Sequence, residues 1–387
     1  MIHSCIRVPW SSVSSFTPGL NGIFPVNPGF RFTLISDGLE SSSEALIRSE
    51  FILKLFLCVL IRNFFARFAF RFLKIHFVPG LMVCCDWLDF IVWCLLFLCS
   101  LSAALSPDAT EASQKPVLTF TAHEGPVFSL ISTDTHLLSS GNGEISAWSW
   151  AELGKKNTKA VWTKRPDYKT GLEIPEINAM IINSRENSLV VGGGDNNIHI
   201  MDLETGTFKS VLQGHTDYIH CLSLRERDGE ILSGAEDGAV RMWDGRTGQS
   251  VHCVEVYKYE ECARPQYGKW ISCVTTDSDW MLCGGGPALS LWHLRSMSPT
   301  SIFPLSGCQR EAVFHQDLIF AVGEGPHVSH CLLGGSVKAQ IPCTPPSLNT
   351  LALNLGTTEH RVMTVAGSSN QIDVFTNFSY RAFSLSF

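Results

Sequence analysis

The sequence predicts an all-β fold made of repeated small antiparallel sheets, and three observations carry that prediction. Short apolar runs alternate with polar residues at a period of two, as strands with one buried face require. Turns rich in Gly, Asn and Asp (GGGD, GAED, CGGGP, VGEGP, AGSSN) separate these runs, and such residues supply the positive φ of tight hairpins. The pattern recurs roughly every 40 residues, the period of an array whose units each bury a face against the next.

The clearest unit is GHTDYIHCLSLRERDGEILSGAEDGAVRMWDGR, Gly214 to Arg246. Its Gly-His opening and Trp-Asp close within one repeat are the mark of a blade of a WD-repeat β-propeller. Within it, His215, Ser233, Asp237 and Trp243 match the positions of a buried hydrogen-bonded tetrad in such repeats. The indole N–H donates to the Ser hydroxyl, the hydroxyl to the imidazole, and the imidazole to the carboxylate. Paired in this way, four polar groups can be buried together. That accounts for His215 and Asp237 without an acid–base or metal role.

Five degenerate copies flank this unit. AHEGPVFSLIS, from Ala122, leads to Trp148. EINAMIINSRENSLVVGGGDNNIHIMDLETG, from Glu176, has Met201-Asp202 in place of Trp-Asp. Trp270 to Leu294 places Trp292 in the third strand. Ala312 to Leu333 has no Trp, and Thr350 to Asn377 sets Phe375 in the Trp slot. Together they give six recognisable blades in a propeller domain spanning residues 106–387. QKPVLTF (residues 114–120) and YRAFSLSF (residues 380–387) stand at opposite ends of the array. Pairing of these two within one blade would close the ring and remove its free edges. Residues 155–175 read as a loop between blades, with Lys155, Lys156, Lys159, Lys164, Arg165 and Lys169 either solvated or offered to a partner.

Composition narrows the function classes. The chain has 387 residues and a net charge of −7, and no general basic field for nucleic acid. Residues 1–106 hold 8 basic and 6 acidic side chains, residues 107–387 hold 21 and 30, so the propeller is acidic. The 14 cysteines form no CxxC pair and no cluster with zinc spacing, which suits buried thiols of a reducing compartment. Cys221 and Cys273 sit mid-run at matching blade positions. No Walker loop, GxSxG elbow, HExxH or dinucleotide fingerprint is present. The triple glycines at 192–194 and 284–286 open no helix, so they lack the dipole of a phosphate cradle. A non-enzymatic protein without metal or cofactor is the expectation.

Residues 1–105 form an atypical N-terminal segment, and three readings of it stand. Leu81 to Leu101 approaches the roughly 20 apolar residues of a membrane anchor, against which stand the intramembrane cost of Asp86 and Asp89. Phe51 to Phe77, interrupted by Lys54, Arg62, Arg67, Arg71 and Lys74, suits a basic amphipathic helix on a membrane surface. The third reading is non-native sequence in place of a normal first blade, which predicts poor packing here and an incomplete ring. A cleaved signal is disfavoured, because no apolar block follows Met1.

Taken together, GHTDYIHCLSL, ILSGAEDGAVRMWDGRTG, CGGGPALSLWHLRSMSPTSIFPL and the late blades without Trp-Asp give residues 117–387 a resemblance to a known family. This region resembles the subunit 6 family of the THO complex, particularly its plant form. The resemblance implies a nuclear scaffold in messenger-RNA processing and export, with other THO complex subunits as partners and RNA touched at most indirectly. Seven blades is the common number for this repeat. An alternative implied by the plant relatives is a substrate receptor of a cullin–RING ubiquitin ligase in abscisic-acid signalling. Such a receptor docks on a damaged-DNA-binding (DDB1-type) adaptor through a box that maps here to Ile231–Arg246, with Asp237, Trp243, Asp244 and Arg246 at its marked positions. Arg246, just past the third strand, would offer a bidentate fork to a partner carboxylate. A further alternative is a membrane-tethered propeller using residues 51–101.

Overall fold

The computed structural model describes residues 75–78, 81–85, 95–168, 174–355 and 361–387. Within the compact unit Phe70–Phe387 lie seven four-stranded sheets, each built from four consecutive strands. Six of them, residues 129–164, 177–213, 219–255, 271–302, 309–342 and 348–386, are the blades of the six repeats read in the sequence. The remaining sheet, residues 75–121, precedes them. Numbered in chain order, the blades run from 1 to 7. The innermost strand of blade 1, Ile75–Val78, touches those of blade 2 (Ser129–Ser132) and blade 7 (Leu348–Asn354), so the ring closes around a central channel.

The core lies between the blades rather than within them. Side chains alternate along each strand, so one residue faces the blade before and the next faces the blade after. Ile231 packs with Val190 and Leu212 of blade 3, whereas its neighbour Leu232 packs with Met281 and Trp292 of blade 5. Each of the seven junctions holds one such apolar cluster among the described residues. Middle strands are therefore apolar on both faces, while outermost strands such as Ser250–Glu255 are largely exposed.

One slot in the third strand shows what the repeat conserves physically. Trp148, Met201, Trp243, Trp292, Cys331 and Phe375 stand opposite Leu137, Leu189, Ile231, Met281, Ile319 and Met363. All six are at most 2 % exposed. Burial defines the slot, and the indole is one of several ways to fill it.

Three expectations need correction. Residues 114–120 and 380–387 do not pair: Leu118–Thr121 pairs with Leu95–Ser100, and Tyr380–Ser386 pairs with Gln371–Thr376. Closure is instead made by packing, with Cys99, Leu101 and Ala104 set against Val362, Ile372, Val374 and Leu385. Phe97 and Phe387 meet there with ring centroids 5.1 Å apart. Second, the boundary expected after residue 105 falls inside blade 1, and the poor packing expected up to that point does not hold for residues 95–105. Leu96, Leu98, Cys99 and Leu101 are core residues, and the short helix Leu101–Leu105 is capped by the Ser100 hydroxyl. Leu81–Cys85 and Leu95–Ser100 are strands, so no single helix spans Leu81 to Leu101. No helix among the described residues is long and apolar enough to cross a membrane. The Phe51–Phe77 reading falls almost wholly outside the described residues. Third, part of the presumed loop 155–175 is the outermost strand of blade 2, Trp162–Lys164.

The glycine-rich turns also serve a purpose beyond positive φ. The innermost strands of blades 3 to 7 each carry a bulge, at Asn178, His220, Ser272, Arg310 and Asn349. In blades 3, 5, 6 and 7 the backbone just before the bulge lies hard against the end of the second strand. A Cβ at Gly193 would lie 1.8 Å from the Glu176 carbonyl oxygen, and one at Gly367 1.8 Å from that of Ser347. Glycine is needed there for close approach.

Candidate interaction sites

In blade 4 the four tetrad side chains meet in one chain of hydrogen bonds. Trp243 Nε1 donates to Ser233 Oγ at 2.9 Å, Ser233 Oγ lies 2.7 Å from His215 Nε2, and His215 Nδ1 lies 2.8 Å from Asp237 Oδ2. Backbone N–H groups of Thr216 and Ala239 also donate to Asp237. Burial pushes the Asp237 carboxyl up, but the bonds from His215 and these amides outweigh it and hold the group below its ordinary range. With every member satisfied, the tetrad ties the turn after the second strand to the loop entering the blade.

A second such network sits in blade 2, where sequence reasoning named only His123 and Trp148. His123 Nε2 lies 2.5 Å from Ser139 Oγ, and Nδ1 lies 3.1 Å from Glu144 Oε1. Glu144 also takes Arg165 at 2.8 Å, so one cation of the presumed basic loop is engaged inside its own blade. The signal was readable, since Glu144 stands 21 residues after His123 much as Asp237 stands 22 after His215. Blade 5 retains only Trp292 Nε1 donating to Ser290 Oγ at 2.8 Å.

The adaptor box divides into an inner and an outer half. Asp237 and Trp243 are consumed in the tetrad. Asp244 Oδ1 accepts the backbone N–H of Arg246 at 2.9 Å and of Thr247 at 3.3 Å, which shapes the turn. Those bonds hold the Asp244 carboxyl below its usual range. The Arg246 guanidinium is exposed and makes no ion pair among the described residues.

Sequence reasoning missed a charge network on that same face. Arg225, nearly buried, reaches Glu230 at 2.7 Å, Asp228 at 3.0 Å and Asp279 of blade 5 at 2.8 Å, and donates to the Ser278 carbonyl at 2.8 Å. Arg295 joins Asp279 at 3.1 Å. A buried guanidinium is tolerated only with such complete pairing. The turn RERDGE carried the signal but reads equally as a solvated hairpin.

The channel, about 1020 Å³, is lined by aliphatic residues together with Ser and Thr, with His220, Arg310 and Glu311 among them. No group of three His, Cys, Asp or Glu side chains that would hold a metal occurs among the described residues. The nine cysteines from Cys99 to Cys343 are free thiols.

Comparison with known proteins adds the family. A model of the WD domain, G-beta repeat, matches residues 114–149, and one of the nucleolar protein 10-like N-terminal domain matches residues 168–301. The chain is 81 % identical over 288 residues to the THO complex subunit 6 homolog of Danio rerio, covering 74 % of this chain and 89 % of that one. It is 59 % identical over 290 residues to THO complex subunit 6 of Homo sapiens, covering 74 % and 85 %. Identity to THO complex subunit 6 of Arabidopsis thaliana is 29 % over 279 residues, covering 66 % and 73 %. A closed WD-repeat ring, with 81 % identity over 74 % of the chain and 89 % of the relative, leads to one assignment: the chain belongs to the THO complex subunit 6 family.

Proposed function

We propose that this propeller is a non-enzymatic scaffold that joins other THO complex subunits in nuclear messenger-RNA processing and export. The observation that carries the reading is the 81 % identity to a THO complex subunit 6 homolog across 89 % of its length. Consistent with a structural role, the imidazole–carboxylate pairs of blades 2 and 4 are spent within their blades. A rigid ring presents two faces and a rim to neighbours at little ordering cost. An acidic ring favours reaching RNA through partners rather than directly. Affinity purification of the tagged chain from nuclear extract tests this: other THO subunits should co-elute in near-stoichiometric amounts, and elution of the propeller alone would overturn it.

A second reading, adaptor docking as a cullin–RING substrate receptor, rests on the exposed Arg246. An interfacial Arg cut to Ala costs about 2 kcal/mol or more. Arg246→Ala should abolish capture of the DDB1-type adaptor with the melting temperature unchanged; undiminished capture ends that reading. Membrane tethering through residues 51–101 is tested by carbonate extraction, where only a tethered chain stays in the pellet.

A further inference from the structure

The connection between blades 4 and 5, residues 256–270, is the longest between consecutive blades, against residues 214–218 and 303–308 at the flanking junctions. Connections of this length are usually functional or disordered, and this one is firmly fixed. Arg264 spends all its N–H donors on backbone carbonyls. Its Nε bonds Gly286 at 3.0 Å, Nη1 bonds Leu305 and Gly307 at 3.3 and 2.9 Å, and Nη2 bonds Gly285 and Pro287 at 3.1 and 2.9 Å. The same guanidinium lies 4.9 Å from the Tyr267 ring centroid, and Trp270 Nε1 donates to the Tyr267 carbonyl at 2.8 Å. Tyr267, 37 % exposed, is therefore an aromatic surface held in place before any partner arrives, which lowers the ordering cost of docking.

Blade 6 has a recess of about 30 Å³ beside this ring. Ala321, Gly325 and Cys331 stand there at the positions of Ser233, Asp237 and Trp243, so no tetrad fills the place. Leu305, whose carbonyl holds Arg264, lines the recess, so ring and recess adjoin. They share the face that carries the turns after the second strands. A Cβ on Gly286 in the blade 5 turn would lie 3.0 Å from the Tyr267 carbonyl oxygen, and Gly323 and Gly325 of the blade 6 turn line the recess. Gln309 and Ser329 line it too. Gln309 Nε2 donates to the Ser306 and Gly307 carbonyls at 3.0 and 3.4 Å, which fixes the amide, because a carbonyl only accepts. Its Oε1 takes no hydrogen bond among the described residues and is not one of the atoms sealed from solvent. Ser329 Oγ accepts from Gln340 Nε2 at 3.3 Å and keeps its own proton to donate.

A recess with room for about one water, offering one acceptor and one donor, matches a hydroxyl, which gives and takes a hydrogen bond at once. A carboxylate would bring no proton to Gln309 and would meet Glu324, which also lines the recess. A methyl group would leave both polar groups unpaired. We infer that this surface docks an extended segment of another THO complex subunit, laid across Tyr267 with a serine or threonine hydroxyl seated in the blade 6 recess. An extended chain advances about 3.3 Å per residue, so about three residues reach from the ring past Arg264 to the recess. Exposed tyrosine beside a small pocket is the composition of an interface anchor. The identity of the partner rests on the scaffold reading; the hydroxyl and its seat rest on the geometry.

Two measurements on the full chain with the remaining THO subunits test this. A photoreactive benzoylphenylalanine placed at Tyr267 should crosslink to a segment of another subunit with a serine or threonine about three residues from the crosslinked position, read by mass spectrometry. Titration of the immobilised chain with the other subunits then gives affinities. Tyr267→Ser, and alanine in place of the partner's serine or threonine, should each weaken binding about tenfold. Ser329→Val, which removes the donor and keeps the strand, should weaken it by a similar factor, about tenfold. Unchanged melting temperatures would show that the variants still fold. Tyr380→Ser, which removes a more exposed ring from blade 7, should leave binding unaltered. Full affinity in both Tyr267→Ser and Ser329→Val, or a crosslinked segment without serine or threonine, overturns this inference and leaves the scaffold reading standing. Failure of the unaltered chain to bind any THO subunit would instead remove the scaffold reading, and this inference with it.

Discussion

Blades 4 and 7 share the same four-stranded frame and fill it by opposite means. In blade 4 the slot beneath Trp243 is polar, with Ser233 accepting the indole N–H and leading on to His215 and Asp237. In blade 7 the corresponding positions are Phe375 and Val365, packed with Met363 and Leu351 in an apolar cluster. Both slots are sealed from solvent. The difference teaches that the ring is held by burial between blades, and that the tetrad is a local bond network laid over that frame. Its contribution is to fix two loops, which an apolar slot leaves to other contacts. Blade 7 does this elsewhere: the buried Asp373 accepts from Ser384 Oγ and from the Thr344 backbone N–H, each at 2.6 Å.

Removing the slot residue should have the largest effect in either blade. Phe375→Ala is expected to cost about 3–5 kcal/mol, because it deletes a buried ring and leaves a cavity; urea denaturation measures it. A cost below that of a surface change would break the view that burial carries blade 7. Next comes Ser233→Ala, expected to cost about 1–3 kcal/mol because both Trp243 Nε1–H and His215 Nε2 lose their partner. In contrast, Val365→Ala in blade 7 should cost only the transfer and cavity contribution of two methyl groups, about 1–2 kcal/mol. The comparison sharpens if the Ser233 variant also raises hydrogen exchange at Thr216 and Ala239 while the Val365 variant leaves its neighbouring loops alone.

Gly367→Ala should follow, at about 1–3 kcal/mol for the backbone shift that a Cβ against the Ser347 carbonyl demands. Blade 4 carries Ala235 at the matching register position, opposite Ile219. There the reverse change, Ala235→Gly, should cost about 1 kcal/mol or less. Melting curves of the two variants decide the point.

Acid should weaken blades 2 and 4 locally. The Asp237 carboxyl lies below its ordinary value in the fold, so its contribution is complete above about pH 3.9 and is lost as pH falls through the folded value. Burial pushes the His123 imidazole below 6.5 despite the neighbouring Glu144, so the folded chain favours its neutral form. Protonation there favours the unfolded chain, and stability is lost as pH falls from 6.5 towards the folded value. Exchange rates of Gly141–Glu144 amides relative to blade 7 amides, followed from pH 7 to pH 5, should rise; a constant ratio would contradict the sign.

Much of this was legible in the sequence. The period, the six repeats and the blade 4 tetrad follow from Gly-His, Trp-Asp and the polar residues spaced between them. Blade 1 was not, for a physical reason. Its third strand, Leu95–Ser100, is buried between neighbours on both sides, so LLFLCS shows no alternation and reads like part of a spanning segment. It also lacks Gly-His and Trp-Asp, the punctuation by which the other blades were found. The bulges leave no mark of their own, because Asn178, His220, Ser272, Arg310 and Asn349 share a place in the register but no chemistry. His220 therefore passed as one more residue in an apolar run. Arg246 was found from the box, yet its separation from Asp237 and Trp243 by burial needed coordinates.

The account turns on residues 75–121 forming the blade that closes the ring. Native-state hydrogen exchange of the backbone amides of Leu95–Ser100 tests this most directly, with Glu230–Ala235 of blade 4 as the internal standard. Both strands lie between two hydrogen-bonded neighbours in their sheets, so protection of the two segments within about a factor of ten is expected. Exchange of Leu95–Ser100 at the rate of an unstructured peptide, beside a protected Glu230–Ala235, would contradict it.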